Sequence, residues 1–339
     1  MILWAVLLLA FFASFLLTAA LRAYALRRSL IDVPNARSSH SIPTPRGGGL
    51  SIVVVTQTAL AGLAFCGYVS ASLALALWGA GVVTAVLGFA DDHGHIAARW
   101  RLLGHFLAAG WAVFWLGGLP QLSVFGFAAD LGWFGHLAAV VLLVWLLNLY
   151  NFMDGIDGIA SVEALCVCAG ALLCYAAAGV LWTPLGYIEA FLGLAVAGFV
   201  CWNFPRARIF MGDAGSGFLG IAIAILSVGA AWTAPQLLWS WLILLGVFIV
   251  DATFTLLRRL LRGEAVQQAH RSHAYQRAAR RWNRHPPVTL AVAAINLTWL
   301  MPLAVWVAVG RVDGALAMSL AYVPLLLLVF WFGAGKAEA

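Results

Sequence analysis

The chain has 339 residues, of which 64% are hydrophobic and only 9% charged, with a mean hydropathy of +0.97. So few polar residues cannot cover a water-soluble surface, which excludes the two or three soluble domains that the length alone would suggest. The net charge of +6 points to anionic lipid or an anionic substrate, not to nucleic acid, because the basic residues sit between apolar runs.

A membrane span needs about 20 apolar residues to cross about 30 Å of hydrocarbon. In chain order the apolar segments are 2–26, 47–68, 71–90, 102–118, 136–153, 159–180, 185–203, 215–233, 235–257, 288–310 and 314–334. They predict an all-α polytopic integral membrane protein with about 11 transmembrane helices (10–11), forming a single domain over 1–339. Connections are short and no transporter-type internal repeat is visible. The first segment has no basic stretch before it, so it reads as a span and not as a cleaved signal. Cys66, Cys166, Cys168, Cys174 and Cys201 all fall inside apolar segments and read as small buried hydrophobes.

Basic residues set the orientation. Sixteen of the 19 Lys and Arg residues follow spans one, three, seven and nine. By the positive-inside rule the loops at 27–46, 91–101, 151–158, 204–214 and 258–286 are cytoplasmic, and the last is rich in Arg and His. Carboxylates gather on the same side: Asp32, Asp91, Asp92, Asp154, Asp157, Asp213 and Glu264, with Asp251 one to two turns inside span nine. Acids contribute little to orientation, so their clustering calls for another cause. A polyanionic substrate with a divalent cation between it and the acids is one.

Four polar clusters carry that reading. Asp91-Asp92 closes a span whose negative dipole end faces the same way, an arrangement that repels unless a cation, or solvent, relieves it. The stretch from Asn148 to Ala160 places Asn148, Asn151, Asp154 and Asp157 three residues apart, with Gly155 and Gly158 available to bend the chain. On a straight helix that spacing cannot share one face, so a broken helix is expected; helix capping by Asp157 is the plainer alternative. Gly212-Asp213-Ala-Gly215-Ser216-Gly217 opens span eight, whose free N–H groups favour phosphate, and Arg46-Gly47-Gly48-Gly49 opens span two in a similar way. In the last loop, His270-Arg271-Ser272-His273 would place two imidazoles on one helical face, while a lipid-binding basic loop is the plainer alternative. No Cys or acid pair nearby in sequence completes a zinc site.

Taken in order, these clusters resemble the polyprenyl-phosphate N-acetylhexosamine-1-phosphate transferases, the WecA- and MraY-type superfamily of glycosyltransferase family 4. The resemblance rests on Asp32-x-Pro34 through Pro45-Arg-Gly-Gly-Gly49, Asp91-Asp92, Asn148-x-x-Asn151-x-x-Asp154-Gly-x-Asp157-Gly, Phe210-Met-Gly-Asp213-x-Gly-Ser216 and Arg271-x-His273. It implies transfer of a sugar phosphate from a UDP-N-acetylhexosamine to undecaprenyl phosphate, with UMP leaving, at the cytoplasmic face of a bacterial inner membrane. It also implies Mg²⁺, with Mn²⁺ as the alternative, and membrane lipid as surroundings; a homodimer is compatible with it.

Residue by residue, the resemblance makes Asp213 the principal metal ligand, with Asp92 beside it. Asp91, Asp92, Asp154 and Asp157 are implied as catalytic. Asn148, Asn151, Arg46, Gly47, Gly48, His270, Arg271, His273 and Ser216 are implied as substrate-binding. The sequence departs from the pattern twice. His95 stands where some members have an acid, and Tyr275 and Gln276 replace the later histidines of the His-x-His-His signature. The pattern is most similar to WbpL-like O-antigen initiators, with UDP-FucNAc, UDP-QuiNAc or UDP-GlcNAc as donor. A peptidoglycan lipid I-type enzyme, a CDP-alcohol phosphotransferase and a cation-coupled transporter are the competing readings. The CDP-alcohol reading lacks the Ala-Arg that should follow Asp-Gly. The transporter reading needs acids at mid-membrane depth.

Overall fold

The computed structural model describes residues 2–34, 39, 42–94, 96–264 and 270–337, so Arg37, His40 and His95 lie outside the described residues. The helices are α1 (Ile2–Arg27), α2 (Leu50–Phe65), α3 (Ala71–His93), α4 (Ala98–Leu116), α5 (Phe134–Met153), α6 (Ile159–Ala177) and α7 (Pro184–Asn203). They continue as α8 (Asp213–Thr233), α9 (Gln236–Leu244), α10 (Gly246–Leu261), α11 (Ala274–Trp282), α12 (Pro286–Ile295), α13 (Met301–Ala308) and α14 (Gly314–Trp331). Two short antiparallel pairs complete the description: β1 (Ile31–Asp32) with β2 (Thr44–Pro45), and β3 (Leu122–Val124) with β4 (Phe127–Ala129).

Among the described residues, eight helices are long and apolar enough to cross a membrane, or nine when α9 and α10 are taken as one broken span. The α12–α13 span runs as one through a π-helical turn at Asn296–Leu300. The chain is an all-α multi-pass membrane protein. The expected count of eleven would need α2, with 16 residues, and α4 as well; α4 opens on Arg99, Arg101 and His105, which lower its apolarity. The expected span at 235–257 is not one helix. It bends by 71° at Leu245, where the backbone reaches ψ 6° and Gly246 lets the side chains of Leu325 and Tyr322 press close.

The core is centred on α8. Of its apolar window 94% is buried, against 22% for α1, so α8 is the axis and α1 belongs to the lipid-facing rim. Small residues permit this. A Cβ on Gly88 of α3 would stand 2.4 Å from the Ala214 nitrogen, and one on Gly220 would stand 2.7 Å from Leu147 Cα of α5. Backbone thus meets backbone on both sides of α8, the close approach that membrane helices use in place of a hydrophobic driving force. The ends of α3, α5, α7 and α10 and the starts of α6, α8 and α12 come together at one end of the bundle.

Candidate active site

The start of α8 is held by two glycine-rich stretches. Phe210 N–H donates to Pro45 O at 2.8 Å, Gly48 N–H to Phe210 O at 2.9 Å, and Gly49 N–H to Met211 O at 2.9 Å. Gly212 sits at φ +79°, where a Cβ would lie 2.7 Å from Asp92 Oδ2 and 3.1 Å from Gly47 Cα. Gly48 packs on Phe199 and Ile209, while Gly47 borders open space.

Asp92 answers the free amides of α8. Its oxygens accept from Asp213 N–H at 3.3 Å and Ala214 N–H at 3.4 Å, and the Arg46 guanidinium donates to its carbonyl. The dipole repulsion expected at the end of α3 is therefore met by the positive end of α8. Asp91 turns aside, taking Ile96 N–H at 2.7 Å and Arg101 Nη1 at 2.5 Å. The same Arg101 nitrogen reaches Asp213 Oδ2 at 3.2 Å. From α5, Asn151 Nδ2 donates to Asp213 Oδ1 at 3.0 Å and to Ser216 Oγ at 3.1 Å. Asp91, Asp92, Asn151, Asp213, Ser216 and Arg46 are thereby brought together, with Arg101 among them. In the sequence Arg101 is one of the basic residues that set the orientation and nothing more, because nothing in its neighbourhood marks a partner 112 residues away.

The chain leaves α5 at Asp154 (φ −84°, ψ 58°) and turns through Gly158 at φ +73° before α6, the break that the three-residue spacing predicts. Asn148 stays on the helix, bonding back to Val144 O at 2.7 Å. Asp154 receives no hydrogen bond among the described residues. Burial, then the carboxylates of Asp213, Asp92 and Asp157, push its pKa up to about 7. Asp157 points elsewhere: Oδ2 accepts from Ala207 N–H at 3.2 Å, Oδ1 lies 3.2 Å from His285 Nδ1, and its carbonyl accepts from Thr289 Oγ1 at 2.9 Å. Asp157 ties three segments together at the rim. Burial would lower the pKa of His285, but its contact with Asp157 prevails and raises it.

The last loop is not the helical face expected for His270 and His273. His273 is the extended residue before α11 (φ −64°, ψ 152°), His270 precedes it, and the two rings stack with centroids 4.9 Å apart. The helix cannot begin earlier because Asp251 of α10 caps it at Ala274. Its Oδ1 accepts from Ala274 N–H at 2.9 Å and lies 3.3 Å from His273 Nδ1, and Oδ2 accepts from Tyr275 N–H at 3.0 Å. Burial, then His273 and Arg259, push the pKa of His270 down to about 3. The two departures from the histidine signature dock this loop: Tyr275 Oη donates to Phe152 O at 3.0 Å beside the Asp154 turn, and Gln276 Oε1 accepts from His273 N–H at 3.2 Å.

A cavity of about 510 Å³ leads away from Asp213, Asn151 and Arg101, past His105 and Asn148, between α3, α4 and α5. Leu102, Phe106 and Val141 line its wall and are 45%, 42% and 53% exposed, so it opens sideways through the lipid-facing surface. Among the described residues no three His, Cys, Asp or Glu side chains gather as a self-sufficient metal cage. The donor set nevertheless suits a hard cation that keeps water and phosphate as ligands: it is all oxygen, from Asp213, Asp92 and Ser216, with Asn151 Nδ2 holding Asp213 and Ser216 in place. Burial first, and then the negative charge of Asp213, Asp92 and Asp157, raises the pKa of Asp154, and a cation would offset that charge.

The site thus joins a carboxylate-rich cluster to the mouth of an apolar cavity in a multi-pass membrane protein. Residues 74–231 match the model of glycosyl transferase family 4. The chain is similar to the phospho-N-acetylmuramoyl-pentapeptide-transferase of Moorella thermoacetica, 33% identical over 246 residues that cover 67% of this chain and 72% of the relative. It is also similar to the probable undecaprenyl-phosphate N-acetylglucosaminyl 1-phosphate transferase of Bacillus subtilis, 28% identical over 270 residues (77% of this chain, 73% of the relative). The undecaprenyl-phosphate alpha-N-acetylglucosaminyl 1-phosphate transferase of Thermotoga maritima is 28% identical over 275 residues (79% of this chain, 80% of the relative). The protein belongs to glycosyl transferase family 4, within the WecA/MraY superfamily.

Proposed function

We propose that the protein is a polyprenyl-phosphate N-acetylhexosamine-1-phosphate transferase, using undecaprenyl phosphate and a UDP-N-acetylhexosamine at the cytoplasmic face of a bacterial inner membrane. The observation that carries this is the meeting of the α8 start and the Asp92–Asp213 pair with a cavity that opens toward lipid. The acceptor's isoprenoid chain fits the apolar wall, and its phosphate falls beside Arg101 and Asn151. An oxygen of the lipid phosphate attacks the sugar-bearing phosphorus. The bond from that phosphorus to the bridging oxygen breaks, and UMP leaves with the electron pair.

Asp213 and Asp92, with Ser216, would hold Mg²⁺, which when bound offsets the charge of two meeting phosphates, and Asn151 orients Asp213. Asp92 caps the first two α8 amides and so fixes the start of the helix that carries Asp213. Asp154, with a pKa pushed up to about 7, matches the second ionisation of a phosphate monoester near pH ~6, and is the group to take the acceptor's proton. Asp157 acts through the rim it fastens. Arg271 and His270 lie on the loop that would take the donor's diphosphate and uridine. Tyr275 and Gln276, in place of histidines, support a donor such as UDP-FucNAc, UDP-QuiNAc or UDP-GlcNAc, and a role in starting O-antigen synthesis.

Purified protein offered a panel of UDP-sugars, UDP-MurNAc-pentapeptide included, should release UMP only with undecaprenyl phosphate and Mg²⁺ present. The mass of the lipid product names the sugar. Lipid-independent UMP release would reject the assignment.

A further inference from the structure

The residues that follow α14 fold back onto the loop that carries Arg271 and His273. Gly333, Ala334 and Gly335 are buried. Arg277 Nε donates to Phe332 O at 2.8 Å and Arg258 Nη1 to Ala334 O at 3.1 Å, from opposite flanks of the last loop. Gly335 N–H then donates to Ser272 O at 2.8 Å. Trp282, the last residue of α11, meets the Phe332 ring edge-on at 6.0 Å.

The two arginine contacts alone would be ordinary satisfaction of helix-end carbonyls. The Gly335 bond is different, because it reaches a carbonyl between Arg271 and His273. The geometry there admits only glycine: φ is +67°, and a Cβ would stand 2.9 Å from Thr255 O and 3.0 Å from Arg258 Cβ. Residues 270–273 are thus gripped from both sides, by Asp251 from within the bundle and by Gly335 from outside.

We propose that Phe332–Gly335 is a positioning clasp for the donor, holding the His270–His273 segment where it can receive the UDP-sugar's diphosphate. This rests on the function proposed above. The clasp touches no reacting atom; it acts by keeping the segment in its binding position before the donor arrives. A segment that occupies that position only about a tenth of the time weakens the apparent affinity about tenfold.

Two variants test it, deletion of residues 334–339 and Gly335→Leu, both leaving α14 intact. In lipid nanodiscs each should raise KM for the UDP-sugar about tenfold while KM for undecaprenyl phosphate stays within about twofold. Hydrogen exchange at amides 270–276 should quicken in both, with the α8 amides unchanged. Unaltered exchange at 270–276 would overturn the clasp, and so would a donor KM that does not move. Parallel rises in both KM values would also overturn it, since that marks general loosening. A wild-type protein that consumes none of the UDP-sugars would reject the donor reading instead, and the exchange measurement would still decide whether the clasp exists.

Discussion

The two halves of the site are built by different physics. Around Asp213 the backbone itself is the scaffold: Gly88, Gly49 and Gly212 let α3, the start of α2 and the start of α8 touch, and Asp92 caps the amides so exposed. Around Arg271 and His273 a surface loop is held by side chains and by a returning segment, namely Asp251, Tyr275 and Gly335. The first half has no room to adjust, as suits groups that must meet a developing phosphoryl transition state. The second is a docked loop whose position depends on a few separable hydrogen bonds, as suits a surface that differs among donors.

If that contrast is right, damage to the first half should be severe. Gly88→Val places a Cβ 2.4 Å from the Ala214 nitrogen, so α8 must shift and UMP release should vanish; an unchanged turnover number would break the backbone-contact account. Asp213→Asn keeps the shape and removes the charge. It should cost about 100-fold or more in kcat, a magnitude typical of losing one preorganised electrostatic contact, and added Mg²⁺ should restore little of it.

The acid balance of the first half also predicts a pH dependence. Asp154 holds a proton below about pH 7 because burial and the neighbouring carboxylates disfavour its charge. A cation needs the ionised cluster, so the apparent Mg²⁺ affinity should fall as pH drops through 7, by at most about tenfold per unit for one proton. Asp154→Asn should make that profile shallower, the remainder belonging to the metal-ligating carboxylates. The sign for stability is the opposite: the folded form binds the extra proton between the ordinary carboxylate pKa and about 7, so this group's contribution to stability decreases as pH rises through that window.

The smallest effect belongs to the second half. Tyr275→Phe removes the bond to Phe152 O while keeping the ring, and should lower stability by about 1 kcal/mol. The donor KM should move by a few-fold and kcat hardly at all. A kcat loss as large as that of Asp213→Asn would erase the distinction between the halves.

Much of this was legible in the sequence, and the reasons differ by residue. Long apolar runs need no tertiary information, so the helices and the grouping of their polar ends follow from composition. Asn148 to Asp157 announced a broken helix because glycine and three-residue spacing are local signals. What stayed hidden depends on contacts between distant segments. Arg101 reads as an ordinary basic residue until α4 brings it between Asp91 and Asp213. His285 reads as one histidine in a basic loop until it meets Asp157. The bend at Leu245 is invisible because a broken span and a straight one have the same hydropathy.

The central claim is that phosphorus, and not the sugar alone, passes to the lipid. The direct measurement uses a UDP-N-acetylhexosamine carrying radioactive phosphorus at the sugar-bearing phosphate, incubated with protein, undecaprenyl phosphate and Mg²⁺. The label should appear in a lipid diphosphate bearing one sugar, with unlabelled UMP released in equal amount. Label found in free UDP, with an unlabelled glycosylated lipid, would mean that the sugar–oxygen bond breaks and would contradict the account.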